Sequence, residues 1–264
     1  MYGKGLRGLS IATAATLVTA FALVFFYAPL DADQGFVQKI FYVHVPMAIV
    51  ALGGFVFGGI CAIAYLRTRN RKWDLRSYVA IHLSLILGLG VLVTGSIWAR
   101  ASWGHWWVWD EPTLVSFLIV FLLFACYQPL RFSIEDPERQ ARYASVFAVM
   151  AGVFVPLNFA AVRAATATVH PRTFGTTEGG LPSQMAWVFV VAIVAMALLF
   201  ALMCCYEGAA KQTRWQLRAL RRRLLGSDAV APLGRSAAPA LGADPASPRG
   251  SATALPRNPA EAAS

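Results

Sequence analysis

A dense run of tryptophans is the most distinctive chemical feature of the sequence. Five of the eight Trp residues fall between Trp98 and Asp110, in the segment WARASWGHWWVWD. Tryptophan is common at membrane interfaces, but an anchoring belt needs only one or two rings at each helix end. If the segment is helical, Trp103, Trp106 and Trp107 share one face with Asp110.

Such a face predicts a broad aromatic platform for a large, flat, apolar ligand. Gly104 and Trp109 belong to the same segment and complete the predicted platform. Asp110 is predicted to order the segment by accepting backbone or indole N–H groups. The alternative interpretation is a membrane anchor, and composition alone does not separate the two.

Two histidines flank the tryptophans in sequence. His44 and His170 are both predicted to lie outside the spans, on the membrane face that carries the tryptophans. Neutral imidazole is a common ligand of heme iron, and two His from separate loops can bind one iron from opposite faces of the ring. Simple solvation is the alternative for each. His82 is predicted to be packed within a span rather than to be a ligand. His105 lies inside the tryptophan segment, where an auxiliary contact with the ligand is the minor alternative.

Three arginines lie on the same predicted face, against the general charge bias: Arg100, Arg163 and Arg172. A guanidinium pairs bidentately with a carboxylate, and heme carries two propionates. These residues are therefore candidate propionate contacts. Solvation or contact with lipid phosphate is the alternative.

Other common sites are not indicated by the sequence. The four cysteines form no CxxC, CxxCH or zinc-ligand spacing, which argues against covalent heme attachment through thioethers and against a zinc knuckle. No Walker motif occurs, so ATP hydrolysis would require another chain. The glycines of Gly54-xxx-Gly58 instead predict a close helix-packing face.

The composition indicates which elements position these residues. With 58% hydrophobic and 14% charged residues, the chain is far more apolar than a soluble domain. A spanning helix needs about 20 apolar residues. We therefore predict an all-α, polytopic bundle of six transmembrane helices with a tryptophan-rich loop or short helix on its outer face. The predicted spans are 9–28, 46–66, 78–98, 113–130, 143–162 and 185–206.

Charge distribution predicts the orientation of the spans. The net charge of +10 does not indicate nucleic acid, because most Lys and Arg residues lie between spans, on one side. Both termini are predicted to be cytoplasmic, with outer loops at 29–45, 99–112 and 163–184. Residues 211–225 predict a basic cytoplasmic helix. Residues 226–264, rich in Ala, Pro, Ser and Gly, predict a disordered tail.

The pattern WGxWWxWD between the third and fourth spans resembles the tryptophan-rich WWD signature of heme-handling proteins in cytochrome c maturation. With six spans and this length, the chain is similar to the CcmC (heme exporter protein C) family over about residues 5–210, including FYVHVP at 41–46. One departure is visible. Many relatives have an Arg and a Leu-Thr after the Asp, where this chain has Glu111-Pro112-Thr113-Leu114, and the role of that Arg is assigned to no residue here.

The resemblance implies a heme-binding and transfer protein rather than an enzyme, located in the bacterial inner membrane. His44 and His170 would be the axial ligands of noncovalently and transiently bound heme b. The implied partners are the periplasmic heme chaperone CcmE, which receives heme, the ATP-binding cassette subunits CcmA and CcmB, and the small membrane subunit CcmD.

Other functions remain open at this stage. A heme lyase or synthetase of the same superfamily would join heme to apocytochrome cysteines, but such chains usually have more spans and more His. A noncatalytic scaffold of a heme transporter complex would not require the tryptophans. A transporter acting alone is disfavoured, because the spans offer few polar residues to line a pathway.

Overall fold

The computed structural model describes residues 4–165, 169–170 and 181–225. Within those ranges the chain is helical, without a strand, and an isolated bridge joins Asp31 to Gly35. The helices are α1 (Lys4–Ala22, continued by a π-helical turn, Leu23–Tyr27), a 3-10 turn (Phe36–Ile40), α2 (Phe41–Thr68), α3 (Arg71–Trp103), α4 (Pro112–Phe132), α5 (Pro137–Ala164) and α6 (Ser183–Leu225). Six of them are long and apolar enough to cross a membrane. The predicted all-α, six-span fold is confirmed.

Helix α2 begins earlier than the sequence predicts. It starts at Phe41 rather than near residue 46, because its first aromatic side chains are buried against α6. The Phe41 ring stacks on Phe189 with centroids 5.1 Å apart, and Tyr42 is 2% exposed. His44, predicted to lie in a loop, is therefore part of the first turns of α2.

The tryptophan segment is not a continuous helix. The predicted common face of Trp103, Trp106, Trp107 and Asp110 required a helix, so that prediction does not apply. Helix α3 runs to Trp103 and ends at Gly104, whose φ of 78° is left-handed and favours glycine. The Gly104 N–H donates to Arg100 O at 3.2 Å, and the Arg100 guanidinium donates to Gly104 O. Residues 104–111, called the tryptophan loop below, connect α3 to α4 without helical structure.

Glycines set the closest helix contacts. A Cβ on Gly54 would clash with Ser84 Oγ of α3, and one on Gly58 would lie 2.6 Å from Ile81 Cγ1. The predicted Gly54-xxx-Gly58 packing face is thus confirmed. Gly59 approaches the backbone of α5 in the same way, since its Cβ would lie 3.3 Å from Gly152 Cα.

A buried lysine joins the first two spans. The Lys39 ammonium, on the 3-10 turn, donates to the carbonyls of Val24, Phe25 and Ala28 at 2.5, 3.3 and 3.4 Å. Those carbonyls belong to the end of the first span, where the helical ladder leaves acceptors unsatisfied and the helix dipole favours a cation. Lys39 is 7% exposed, so these bonds replace its water. The start of α2 is thereby fixed against α1.

The bundle end opposite the tryptophan loop holds a buried ion pair. Arg131 of α4 donates through both terminal nitrogens to the carboxylate oxygens of Asp74 in α3, each at 2.8 Å. The same guanidinium donates to Tyr127 Oη at 3.1 Å and lies over the Tyr78 ring, 4.9 Å from its centroid. Just before it in α4, Pro129 lacks the N–H that would continue the helical ladder. Helices α3 and α4 are therefore joined by charge where they are farthest from the loop.

Two compact units divide the chain, Met1–Trp215 and Gln216–Ser264. Of the second unit, the structure describes residues 216–225, which form the last turns of α6. Residues 226–264, predicted to be a disordered tail, lie outside the described residues. So does Arg172, with most of the predicted loop 163–184.

Candidate functional site

A largely apolar cavity of about 440 Å³ opens among the helices at the end of the bundle that carries the tryptophan loop. Its walls come from the first part of α2, the last part of α3, the first part of α4 and the last part of α5. The volume lies within the range of about 300–1,000 Å³ typical of ligand pockets. Among the residues that the structure describes, His44, Arg163 and His170 are its charged and imidazole lining residues.

His44 enters this cavity from α2. Its imidazole fits against α3 because Gly95 has no side chain there: a Cβ on Gly95 would lie 2.9 Å from His44 Cε1. The His44 Nδ1 lies 2.9 Å from Thr94 Oγ1, on the same helix as Gly95. The ring is thus held by hydrogen bonding to Thr94 and by close packing against Gly95, both in α3.

The hydrogen bonds of Thr94 indicate which imidazole nitrogen is free. A hydroxyl has one proton to donate. Thr94 Oγ1 lies 2.8 Å from Gly90 O and 3.3 Å from Val91 O, the usual acceptors for a threonine within a helix. Its lone pairs then accept the proton of His44 Nδ1. This tautomer leaves Nε2 of His44 with its lone pair available to a metal ion.

His170 reaches the same cavity from the segment after α5. Its ring centroid lies 6.4 Å from that of Trp98 and 6.3 Å from that of Trp103, with edge-to-face geometry towards both. The two indoles also meet edge to face at 4.8 Å. Trp98 is anchored in turn, because its Nε1 donates to Gln34 Oε1 at 3.1 Å. His170 is therefore set against two fixed aromatic rings.

The predicted platform tryptophans divide into two groups. Trp103 and Trp107 line the cavity, whereas Trp106 and Trp109 are 61% and 73% exposed. Trp107 and Trp109 still meet edge to face at 6.0 Å. The Trp107 Nε1–H is buried and has no acceptor among the described residues. Since a buried unpaired donor is costly, this N–H is suited to an acceptor group on a ligand.

The remaining predicted residues also separate. Arg163 lines the cavity and lies over the Phe159 ring, 5.4 Å from its centroid. Arg100 is exposed and bonds to Gly104 O at the end of α3, outside the cavity lining. Gly104 and Asp110 are exposed members of the tryptophan loop. The structure thus brings together His44, His170, Trp103, Trp107 and Arg163. It leaves five predicted residues at the periphery: Arg100, Gly104, Trp106, Trp109 and Asp110.

Sequence reasoning missed several residues that shape this site. Gly95 and Trp98 lie about one helical turn apart on the face of α3 that lines the cavity, and this spacing was a readable signal. Thr94, next to Gly95, lies within hydrogen-bond distance of His44. Glu111 was noted only as a departure from a family pattern. It is fully buried and its carboxylate accepts bonds from the backbone of Val169 and His170. No local pattern predicts that contact.

The chemistry available here is that of ligation within an apolar slot. The imidazoles of His44 and His170 come from different segments and line one cavity whose walls include indole rings. The Arg163 guanidinium also lines it. Such a site can hold a flat aromatic ring system, ligate a metal at its centre and pair with an acidic edge group.

Comparison with known proteins gives a consistent result. A family model described as CcmC, heme exporter protein C, matches residues 1–223. A heme exporter protein C of Rhodobacter capsulatus is 30% identical over 225 residues, covering 84% of this chain and 90% of that protein. One of Paracoccus denitrificans is 34% identical over 137 residues, which is 52% of this chain and 56% of that protein. A third relative is a cytochrome c biosynthesis ccmC-like mitochondrial protein of Marchantia polymorpha. It is 34% identical over 138 residues, which is 52% of this chain and 58% of that protein.

Proposed function

The chain belongs to the heme exporter protein C family, and on that premise we propose that it binds heme b in the cavity between His44 and His170 and delivers it during cytochrome c maturation. Heme is the cargo, held noncovalently and transiently. The observation that carries the proposal is that two histidines, 126 positions apart in the sequence, line one apolar cavity with three indoles.

The cavity fits this cargo in three respects. Its walls are mainly apolar, as a porphyrin requires, and Trp98, Trp103 and Trp107 offer ring surfaces. The His44 tautomer set by Thr94 presents Nε2 as a donor to iron. The unpaired Trp107 N–H and the Arg163 guanidinium are suited to the carboxylates at the heme edge. Bound heme would supply an iron with two axial positions for His44 and His170.

Delivery requires a partner that can reach the edge of the site. Trp106 and Trp109 stand exposed at the rim, in the loop that also supplies Trp107 to the cavity wall. Exposed tryptophans are enriched in protein interfaces. We assign this rim to a periplasmic heme chaperone, CcmE, and place the site at the periplasmic face of the inner membrane with both termini cytoplasmic. The ATP-binding cassette subunits CcmA and CcmB and the small subunit CcmD complete the proposed complex, in which this chain transfers heme without catalysing a covalent reaction.

Absorption spectra of the purified protein test the ligation. The oxidised and reduced parent should show a six-coordinate, bis-imidazole heme spectrum, and His44→Ala and His170→Ala should each abolish it. His105→Ala is the matched control, because His105 is exposed in the tryptophan loop and outside the cavity lining. A parent that takes up no heme, or two single variants with parental spectra, would refute the proposal.

The transfer step has its own measurement. Heme delivered to CcmE can be measured on the chaperone after co-expression, with this chain either parental or carrying one His variant. We expect transfer to fall in both His variants and to persist in His105→Ala. Normal transfer by both His variants would contradict the assigned role.

A further inference from the structure

The carboxylate of Glu111 connects the start of α4 to the segment that carries His170. Glu111 is 0% exposed. Its Oε1 accepts from Thr113 N at 3.3 Å, which caps the N-terminus of α4. Its Oε2 accepts from Val169 N at 2.9 Å and from His170 N at 3.2 Å. One side chain thus bonds backbone groups that are more than fifty residues apart in sequence.

Burial makes these bonds strong constraints. A buried carboxylate is costly unless N–H groups replace its water, and bonds to a charged acceptor are stronger than neutral ones. The N-terminus of α4 also favours a negative charge. Two successive backbone N–H groups, from Val169 and His170, converge on one oxygen in the manner of an anion-binding nest. The conformation of the chain at His170 is therefore tied to a helix end.

We infer that Glu111 is a positioning residue for His170, an inference that rests on the proposed function. His170 lies outside any helix, so nothing in its own secondary structure fixes the direction of its side chain. The Glu111 bonds fix its backbone N–H, and Trp98 and Trp103 then fix its ring. His44 needs no such device, because α2 and Thr94 hold it.

The position of Glu111 in the chain supports this role over simple capping. It is the last residue of the tryptophan loop and the N-cap of α4, which begins at Pro112. A helix cap alone is served best by a shorter Asp, Asn or Ser. The longer glutamate caps α4 with one oxygen and reaches the His170 segment with the other.

Glu111→Asp separates the two roles. Aspartate keeps the negative charge and is a good helix cap, but it is one methylene shorter and should lose the bonds to Val169 and His170. Glu138→Asp is the matched control, because it makes the same change at an exposed glutamate in the first turn of α5, away from the cavity. Glu111→Gln keeps the length of the side chain and an acceptor oxygen, and it should retain part of the parental behaviour.

Two measurements follow, one without heme and one with it. In the apo protein, amide hydrogen exchange at Val169 and His170 should rise about tenfold or more in Glu111→Asp, the factor for losing a bond to a charged group, with α4 unchanged. In the heme-loaded protein, the spectrum should shift from low-spin six-coordinate towards high-spin, and added imidazole should restore it. The double variant Glu111→Asp with His170→Ala should behave as His170→Ala alone.

The outcomes are distinguishable. If the parent binds no heme, the proposed function fails and the ligand role of this contact fails with it, whatever the exchange result. If the parent shows a bis-imidazole spectrum and Glu111→Asp shows the same spectrum, the inference is overturned while the proposed function stands. Faster exchange without a spectral change also overturns it, because the bond would then not position the ligand.

Discussion

Replacing Thr94 by valine should weaken heme binding through His44 without disturbing the fold. Valine has nearly the shape of threonine but offers no acceptor to His44 Nδ1, which lies 2.9 Å from the hydroxyl oxygen. The Nδ1–H would then lose its Thr94 acceptor in a partly buried position, or the ring would change tautomer and carry its proton on Nε2. Either change penalises ligation of iron by Nε2.

The magnitude follows from the role of the bond. Loss of a hydrogen bond that orients a metal-ligating His typically lowers metal affinity about 10–100-fold. That range corresponds to about 1.4–2.8 kcal/mol, similar to the cost of leaving one buried donor unpaired. Thr94→Ser keeps the hydroxyl and should stay within about threefold of the parent, since only a methyl group is lost.

The assay is a heme titration of apo protein in nanodiscs, followed by absorbance, with circular dichroism to show that each variant is folded. The reduction potential of the bound heme provides a second readout, because the donor strength of His44 affects it. Equal affinity and equal potential in Thr94→Val, Thr94→Ser and the parent would refute the assigned tautomer. A loss shared equally by both variants would indicate a packing effect instead.

Three further predictions concern the bundle itself. Arg131→Ala leaves the Asp74 carboxylate buried without its bidentate partner and should lower the free energy of unfolding by about 3–5 kcal/mol. The double variant Arg131→Met with Asp74→Leu should lose less, and equal losses in chemical unfolding in micelles would contradict the reasoning. Gly59→Ala should lower the free energy of unfolding by about 1–3 kcal/mol, because the new Cβ meets the backbone of α5. Gly53→Ala, whose Cβ would have nothing within 4 Å, should be neutral, and identical thermal midpoints of the two variants would argue against this contact. Lys39→Met should lower the free energy of unfolding by about 1–3 kcal/mol and speed amide exchange at the end of the first span. An unchanged exchange rate there would argue against the bonds from the Lys39 ammonium to the three carbonyls.

Hydropathy predicted the number and kind of helices because a membrane span imposes a length and a composition that any reader of the sequence can measure. Helix ends were less accessible. Phe41 and Tyr42 extend α2 because α6 buries them, a contact with residues far along the chain. Helical periodicity placed Trp103 and Trp106 on one face because it assumed a continuous helix. Gly104 ends α3 within the tryptophan segment, and of these two residues Trp103 lines the cavity.

The sequence predicted the chemistry of the candidate site but not the arrangement of its residues. Residue types nominated His44 and His170, and the structure places both at one cavity, while their roles as heme ligands remain a prediction. The contact of Glu111 with the His170 backbone depends on the path of the chain after α5. No sequence spacing encodes it, because the two partners approach only when α4 and α5 pack.

The Asp74–Arg131 pair holds α4 against α3 at the end of α4 that is farthest from the cavity. Helix α4 has 21 residues and is about 30 Å long, and it is clamped to α3 at one end while its other end borders the cavity. A helix held at one end would move by rotation about that end rather than by sliding, and Pro129, which has no backbone N–H to donate, lies beside the ion pair. A swing of about 4° at that point carries the far end of α4, with Glu111, by about 2 Å. Any rotation of α4 about the Asp74–Arg131 pair would therefore displace residues at the cavity mouth most and residues beside the pair least.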